Sequence, residues 1–566
     1  MIEQEIKSLI QKAVIEIQPD FVGEVSLSVP QLQFGDFSSN IALILAKQLK
    51  RNPLEVAEEI KSHIQDNDDI ESIQVLKPGF INVWLSKDTL IAPLEQAIKG
   101  EFVIQPFHYG AEKKVMVEFA HPNTHKLFHI GHLRNIATGE SVVRLLEAVG
   151  NTIVRTNYQG DVGLHIAKCL WGIKKMMKND EGVSLFEKLS LLEKIKLLGK
   201  GYSEGQTAYD ADENAKTKII TINKQIYEKN SPEIMELWTI TRAWSLEYYE
   251  EMYKRVYSHF DRCYFESEVH EQGLKTAKEL LENGILEKSE GAVVFKGEQY
   301  GLDTRVFINS LGYPTYEGKE LGLAAKEFSD FGTLDKCIHV VTPEQTSFFK
   351  ITFKVEELLD KEKFGGKQYH LAYEWVKLKD GKMSSRTGNV IEGPWLIDEI
   401  KKKILEKFEN AGDIVETLAV AAVKYSFLKN ATNSQIAFDI DESVSLDGNS
   451  APYILYTFVR TQSIISKEVE NTGAYPSEIS PDEKQMMRLI YQYTDKVHKA
   501  ASTLSPNIIA GYLYDLSREY NLFYQKNPIL KAEPDQKYMR LAITKAVASI
   551  LKHGLYLLGI KTVQKM

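Results

Sequence analysis

Cysteine is scarce in this chain of 566 residues: Cys169, Cys263 and Cys337 are the only three, and they stand far apart. That excludes a disulfide framework and leaves no C-x-x-C pair for a structural zinc. Such usage fits a reducing cytoplasm. Long apolar runs are missing too. None approaches the ~18 residues of a membrane helix, so no membrane span is expected. The start, Met1-Ile2-Glu3-Gln4-Glu5, is acidic and leads into no apolar segment, so no secretory leader is expected. Positive charge is short as well. Lys and Arg number 69 against 78 Asp and Glu, a formal net charge of −9. A dedicated nucleic-acid binder is usually basic, although an acidic body can carry local basic patches. Internal repeats and low-complexity tracts are absent.

The residues that are present divide the chain into three. Residues 1–105 read as a small α+β module. Ile6, Leu9, Ile10, Ala13, Val14 and Ile17 recur at helical spacing. Further helices are expected over Ser39–Lys50 and after Asn52-Pro53, an N-cap followed by proline. Ile73–Leu76 and Phe80–Trp84 read as strands around the turn Pro78-Gly79. Residues 106–400 open with an expected strand at Lys114–Phe119, a helix over about Gly131–Ala148 and a strand at Thr152–Asn157. This β-α-β order implies a parallel sheet with a right-handed crossover. About 172–290 is highly charged and helical in pattern, as an insertion would be. Val293–Phe295, Val306–Ile308 and Ile338–Val341 are expected to resume the strands. Residues 401–566 show helical spacing throughout, which predicts a bundle.

Two segments carry chemistry. His129-Ile130-Gly131-His132 opens the predicted helix after the first strand of the middle part. A helix N-terminus presents unpaired N–H groups and a positive dipole end, to which phosphates bind. Two imidazoles add donors there, and Gly131 lets a flat base approach the backbone. Far downstream lies K-D-G-K-M-S-S-R-T-G-N-V, Lys379–Val390, whose Asp380-Gly381 turn presents Lys382 beside Ser384, Ser385 and Arg386. A lysine ammonium is a compact charge suited to phosphate oxygens. Gly312–Lys319 imitates a phosphate loop only loosely, because Glu320 stands where that motif needs Ser or Thr. No G-x-G-x-x-G follows the first strand, so a dinucleotide site is not expected.

These segments resemble the HIGH and KMSKS signatures of class I aminoacyl-tRNA synthetases. The stretch V-E-F-A-H-P-N-T-H-K-L-F-H-I-G-H-L-R and the block Tyr158–Gly163 resemble the arginyl-tRNA synthetases in particular. Gly35–Asn40 and Pro78–Asn82 resemble that family's N-terminal tRNA-binding module. Ala451–Tyr456 and Gly554–Ile560 resemble its anticodon-binding domain. The likeness spans nearly the whole chain apart from about 172–260. It implies an α/β Rossmann-like catalytic domain with a helical insertion, an N-terminal α+β module that meets the tRNA D-loop, and a C-terminal helical anticodon-binding bundle.

The resemblance also implies an activity. Arginine would be joined to its tRNA through an arginyl-adenylate, with release of pyrophosphate and AMP. ATP and Mg2+ would be used, and activation in this family usually requires bound tRNA. It implies His129, His132 and Lys382 as catalytic groups, with Lys126, Gly131, Ser384, Ser385 and Arg386 around ATP. Glu266, Tyr316 and Glu320 would hold the guanidinium. That cation has donors and no acceptor, so its pocket needs carboxylates. Asn123 and Gln345 would hold the α-amino end, with Glu118 nearby. Phe80 and Asn82 would read a D-loop base, Tyr453 and Tyr456 would meet the anticodon, and no protein-held metal is implied. Partners would be tRNA(Arg) and L-arginine, with a cytoplasmic monomer and no membrane.

The chain departs from the family pattern in three places. Ser385 stands where the second signature has its second lysine, and either Arg386 or Lys126 is the candidate to replace that charge. Glu320 stands where the family often has Asp, and Phe348 where it often has His. Two rival readings are a different class I synthetase and a non-catalytic tRNA-binding paralogue.

Overall fold

The computed structural model describes residues 2–177, 186, 188–379, 391–407, 412–468 and 473–566. At its centre is a five-stranded, all-parallel sheet. The strands are β1 (Lys114–Glu118), β2 (Thr152–Gln159), β3 (Arg262–Phe265), β4 (Lys336–Val341) and β5 (Gln368–Ala372). Their spatial order is β5-β4-β1-β2-β3. The order reverses between β1 and β4, and ligands of open α/β sheets bind beyond the C-terminal strand ends at such a switch point. Helix α1 (Ile130–Ala148) crosses from β1 to β2. Asn135 on α1 fixes this crevice: Ala120 N donates to its Oδ1 (2.6 Å), and its Nδ2 donates to Val340 O (2.7 Å).

Helix α2 (Glu266–Glu282) follows β3 directly, α3 (Tyr316–Phe331) precedes β4, and α4 (Thr346–Leu359) lies between β4 and β5. Two expectations about the strands change here. Strand β3 falls inside the stretch read as an insertion. It has four residues and begins with an arginine, so no apolar run announces it. Conversely, Ala292–Phe295 and Arg305–Ile308 do not rejoin the parallel sheet. They pair antiparallel with each other, and Glu287–Ser289 completes a separate three-stranded sheet. Three long helices, Leu191–Ala211, Glu213–Glu228 and Pro232–Arg255, occupy the space before β3.

The N-terminal module is a three-stranded antiparallel sheet of Phe37–Ser39, Ile70–Leu76 and Phe80–Leu85, with four helices. Its buried Asp36 accepts from Leu85 N (2.8 Å) and faces Arg488 Nε (3.3 Å) and Lys484 Nζ (3.4 Å) of the C-terminal bundle. That bundle includes Val415–Leu428, Ala451–Ile465, Pro481–Tyr491, Tyr493–Ser502, Asn507–Lys526 and Pro534–Leu557. Its last turn docks on α1. Ser141 Oγ donates to Leu557 O (2.9 Å) and Arg144 Nη1 to Tyr556 O (2.8 Å), while within the bundle Lys424 Nζ donates to Gly559 O (2.8 Å). The C-terminal half of the helix that begins at the two histidines is thus held by the bundle.

Candidate active site

His129 is the N-cap of α1 and His132 its third helical residue, and together they form a capping box. Gly131 N donates to His129 Nδ1, and His129 N donates to His132 Nδ1, both at 3.1 Å. Each Nδ1 is an acceptor, so each ring carries its proton on Nε2. The rings stack 3.7 Å apart. A Cβ on Gly131 would sit 3.0 Å from the His129 ring, too close for an easy fit. Burial, helped by the Lys126 cation, lowers the His129 pKa to about 4. Burial, helped by His129, sets His132 well below the ordinary histidine range. Near pH 7 two neutral Nε2–H donors therefore stand at a helix N-terminus, an arrangement that favours an anion.

Both histidines and Gly131 line a cavity of about 700 Å³ with Tyr373, Trp375 and Leu378. Lys382, Ser384, Ser385 and Arg386 lie outside the described residues. The flanks of that stretch lie within them, since Leu378 and Ile391 both line this cavity. Ile130 N donates to Ile391 O (2.9 Å) and Gly393 N to Phe128 O (2.8 Å). On the entry side, strand β6 (Val376–Leu378) pairs with Ile436–Phe438. Arg134 of α1 binds the neighbouring carbonyls. It donates to Trp375 O (3.2 Å) and to Thr432 O and Ser434 O (3.0 Å each). Bonds from a charged donor contribute about 1.5–3 kcal/mol each. Lys126 is exposed, with its ammonium 5.9 Å from the Tyr202 ring centre.

A second cavity, of about 390 Å³, adjoins the first, since His121, Val341 and Gln345 line both. Glu118, Asn123, Glu266, Tyr316, Glu320 and Gln345 all line it. Six residues scattered in sequence from position 118 to position 345 are thereby brought together. Asp161 holds Glu266 in place: it accepts from Ser267 N (2.8 Å), Ser267 Oγ (2.6 Å) and Arg242 Nε (2.7 Å), pinning the start of α2. Gly160 is required beside Asn123, because a Cβ there would lie 2.2 Å from Asn123 Oδ1.

Charge pairing in this second cavity is uneven. Glu266 Oε2 accepts from Lys319 Nζ at 2.7 Å, both side chains being buried. Glu317 faces Arg305 at 3.3 Å, and Glu118 faces His339 at 2.9 Å. Glu320 is buried and has no ion pair or hydrogen bond among the described residues. Burial pushes its carboxyl well above the ordinary range; His339 opposes this, and Glu118 and Glu356 add to it. A buried charge is costly unless paired, so this wall is short of one cation. Sequence reasoning did not find Lys319, His339, Arg305 or Asp161. Lys319 and Arg305 look like surface charges in sequence, and His339 sits in an apolar strand; only the packing gives them partners.

Behind Glu320, burial raises the Glu356 carboxyl to about 8, against the pull of a hydrogen bond from Gln368. Between about pH 4.5 and 8 the folded chain therefore holds a proton that the unfolded chain releases. Stability from this group is present below its unfolded pKa and is lost as pH rises through the folded value. Glu356→Gln keeps an acceptor for Gln368 and removes the titration. The variant is expected to melt higher than the parent at pH 8 and about equally at pH 5. A melting difference that does not grow with pH would contradict this assignment.

The tRNA candidates fare unevenly. Phe80 is 37% exposed. Asn82 is 2% exposed, and Ser38 Oγ donates to its Oδ1 at 2.6 Å. Ser38 thus holds the Asn82 amide by its carbonyl, on the same strand as Phe80. Tyr456 is 39% exposed on the bundle. Arg460 lies over its ring at 4.8 Å and over Tyr524 at 5.2 Å, beside a cavity of about 490 Å³ that Lys467 and Lys531 also line. Tyr453 is half-buried, and its hydroxyl accepts from Asn521 Nδ2 (3.1 Å). Phe458, Tyr512, Tyr520 and Phe523 are core.

Comparison with known proteins agrees with this arrangement. The family described as "tRNA synthetases class I (R), catalytic domain" matches residues 98–440. "DALR anticodon binding domain" matches 454–566, and "Arginyl tRNA synthetase N terminal domain" matches 4–85. The arginine–tRNA ligase of Bdellovibrio bacteriovorus is 32% identical over 99% of this chain and 98% of its own length. That of Fusobacterium nucleatum is 31% identical over 100% and 99%. The solved arginyl-tRNA synthetase of Thermus thermophilus shares the fold, with a TM-score of 0.81 at 23% identity over 100% of both chains. With a catalytic-domain match across most of its length and full-length relatives above 30% identity, the chain belongs to the arginyl-tRNA synthetase family of class I aminoacyl-tRNA synthetases.

Proposed function

We propose that the two adjoining cavities divide the work of charging tRNA with arginine. The cavity under His129 and His132 takes ATP, and the carboxylate-lined cavity takes the amino acid. The observation that carries this division is Glu320, a buried carboxyl that lines the second cavity and has no ion pair among the described residues. A guanidinium supplies a cation there, with Tyr316 over it and Glu266 sharing it with Lys319. Glu118, Asn123 and Gln345 face the α-ammonium. Gln345 lines both cavities, which supports a pose with the arginine carboxylate toward the α-phosphate it attacks. Gly131 leaves room for the nucleotide, with Lys126 close by.

The neutral Nε2–H groups of His129 and His132 donate to phosphate oxygens as pyrophosphate departs. Stabilising that developing charge is positioning and electrostatics. Mg2+ arrives on the ATP as counter-ion of its phosphates, in keeping with its preference for phosphate oxygens and water. The family resemblance supplies Lys382, with Ser384, Ser385 and Arg386, as further charge and donors for the phosphates. Lys382→Ala is expected to lower aminoacylation at least ~100-fold, the scale of one electrostatic donor; an unchanged rate would remove Lys382 from the mechanism.

Tyr456, Tyr453 and Phe80 are the proposed tRNA contacts, with the exposed ring of Tyr456 best placed to stack on a splayed base. The proposed acting form is a cytoplasmic monomer, a setting that suits three unpaired thiols. Pyrophosphate exchange with each amino acid in turn, tRNA present, tests the substrate. Exchange with arginine alone is expected, and exchange with another amino acid but not arginine would overturn the reading.

A further inference from the structure

Four buried carboxyls surround one imidazole behind the amino-acid cavity. His339 lies opposite Glu118 in the β4–β1 register. Its Nδ1 is 2.9 Å from Glu118 Oε1, with side-chain exposures of 1% and 3%. Its Nε2 is 2.9 Å from Gln368 Oε1 on β5. Gln368 Nε2 in turn donates to Glu356 Oε2 at 2.8 Å, which turns the amide carbonyl toward the ring. Both ring nitrogens thus face acceptors, and a ring that donates from both is an imidazolium.

The remaining neighbours set the balance of charge. Glu320 and Glu327 approach from α3, Glu356 from α4, Cys337 from the same strand, His121 from beyond the end of β1, and His370 from the position opposite His339 on β5. Burial raises Glu320, Glu327 and Glu356. Burial also acts to raise Glu118, but the His339 hydrogen bond and charge bring it below the ordinary range. Burial opposes a charged His339, yet Cys337 and Glu118 draw it well above the ordinary histidine range. Burial raises the Cys337 thiol to about 12, so it is neutral and Glu118 is the anion that matters. One cation therefore selects which of four acids is ionised, and the selected acid lines the cavity.

We propose that His339 is a positioning residue for arginine binding: its imidazolium holds Glu118 ionised and oriented to receive the substrate's α-ammonium. This rests on the reading that Glu118 faces that ammonium. His339 touches no substrate. Without its charge, Glu118 joins the protonated acids of the cluster, and a neutral acid holds an ammonium poorly.

The test measures the arginine KM, ATP KM and kcat of His339→Gln across pH 6.5–8.5, with tRNA present. The expected result is an arginine KM raised about 10-fold at pH 6.5, the factor for a site in which about nine in ten Glu118 carboxyls have become protonated. That rise narrows toward pH 8.5, and the ATP KM stays near the parent value. A KM ratio that is flat with pH, or an equal change for ATP, overturns the proposal. Gln368→Met lies outside the cavity lining and removes the acceptor at Nε2. It is expected to give a smaller shift in the same direction, and it decides the matter if His339→Gln does not fold. Glu118→Gln separates the two readings. If it leaves the arginine KM unchanged, Glu118 does not bind arginine. If it raises KM while both other variants behave as the parent, only the role of His339 fails.

Discussion

His132→Ala lowers ATP–pyrophosphate exchange by about 10²–10³-fold, the effect of removing one preorganised donor from a developing oxyanion, with little change in arginine KM. The cause is local. His132 Nδ1 is taken by His129 N, so its one proton lies on Nε2. Burial keeps the ring neutral, so the donor is in the same state across the working pH range. The same substitution removes half of the capping box, and loss of a cap alone costs about 1 kcal/mol of stability. A cap effect appears as a lower melting temperature, whereas the catalytic effect appears in kcat for exchange. His132→Asn retains a short polar cap and is expected to recover the melting temperature but not the rate. Recovery of both by asparagine would show that the imidazole matters only as a cap.

Glu320→Gln raises the arginine KM by roughly 30- to 5000-fold, from the about 2–5 kcal/mol lost when one partner of a desolvated charge pair is truncated. The empty parent holds Glu320 protonated, because burial raises its carboxyl well above the ordinary range. A guanidinium needs the ionised form, so arginine binding releases a proton. The sign follows by linkage: affinity for arginine rises with pH up to the raised pKa and is flat above it. The variant has no such titration, so its KM lacks this pH slope. Glu320→Asp is the informative partner, since it restores the residue frequent in the family while withdrawing the carboxyl by one methylene. A Glu320→Gln variant with parental KM would move the guanidinium to Glu266 and leave Glu320 as a wall residue.

Much of this site was legible from sequence because its motifs are contiguous. His129 to His132 lie within one helical turn, so their spacing fixes their shared face before any tertiary contact forms. The turn chemistry of Asn52-Pro53 and the apolar periodicity of residues 6–17 likewise acted locally, and the helices Pro53–His63 and Ile2–Ile17 formed as those patterns require. The edge strand Arg262–Phe265 was not legible. Four residues carry too little periodicity, and only pairing with Thr156–Gln159 makes them a strand. The antiparallel sheet of Ala292–Phe295 and Arg305–Ile308 shows the same limit. Strand character was evident there, but not which sheet would accept it.

Residue types and their order determined the family, the helix-capping histidines and the acidic character of the amino-acid pocket. The tertiary structure alone decided which acids have partners. Lys319 reaches Glu266 and His339 reaches Glu118 because α2 packs on α3 and β4 lies beside β1. Those contacts leave Glu320 without an ion pair among the described residues. Burial then converts a formal charge in the sequence into a proton held at neutral pH, since desolvation acts on the environment of a carboxyl and not on its identity.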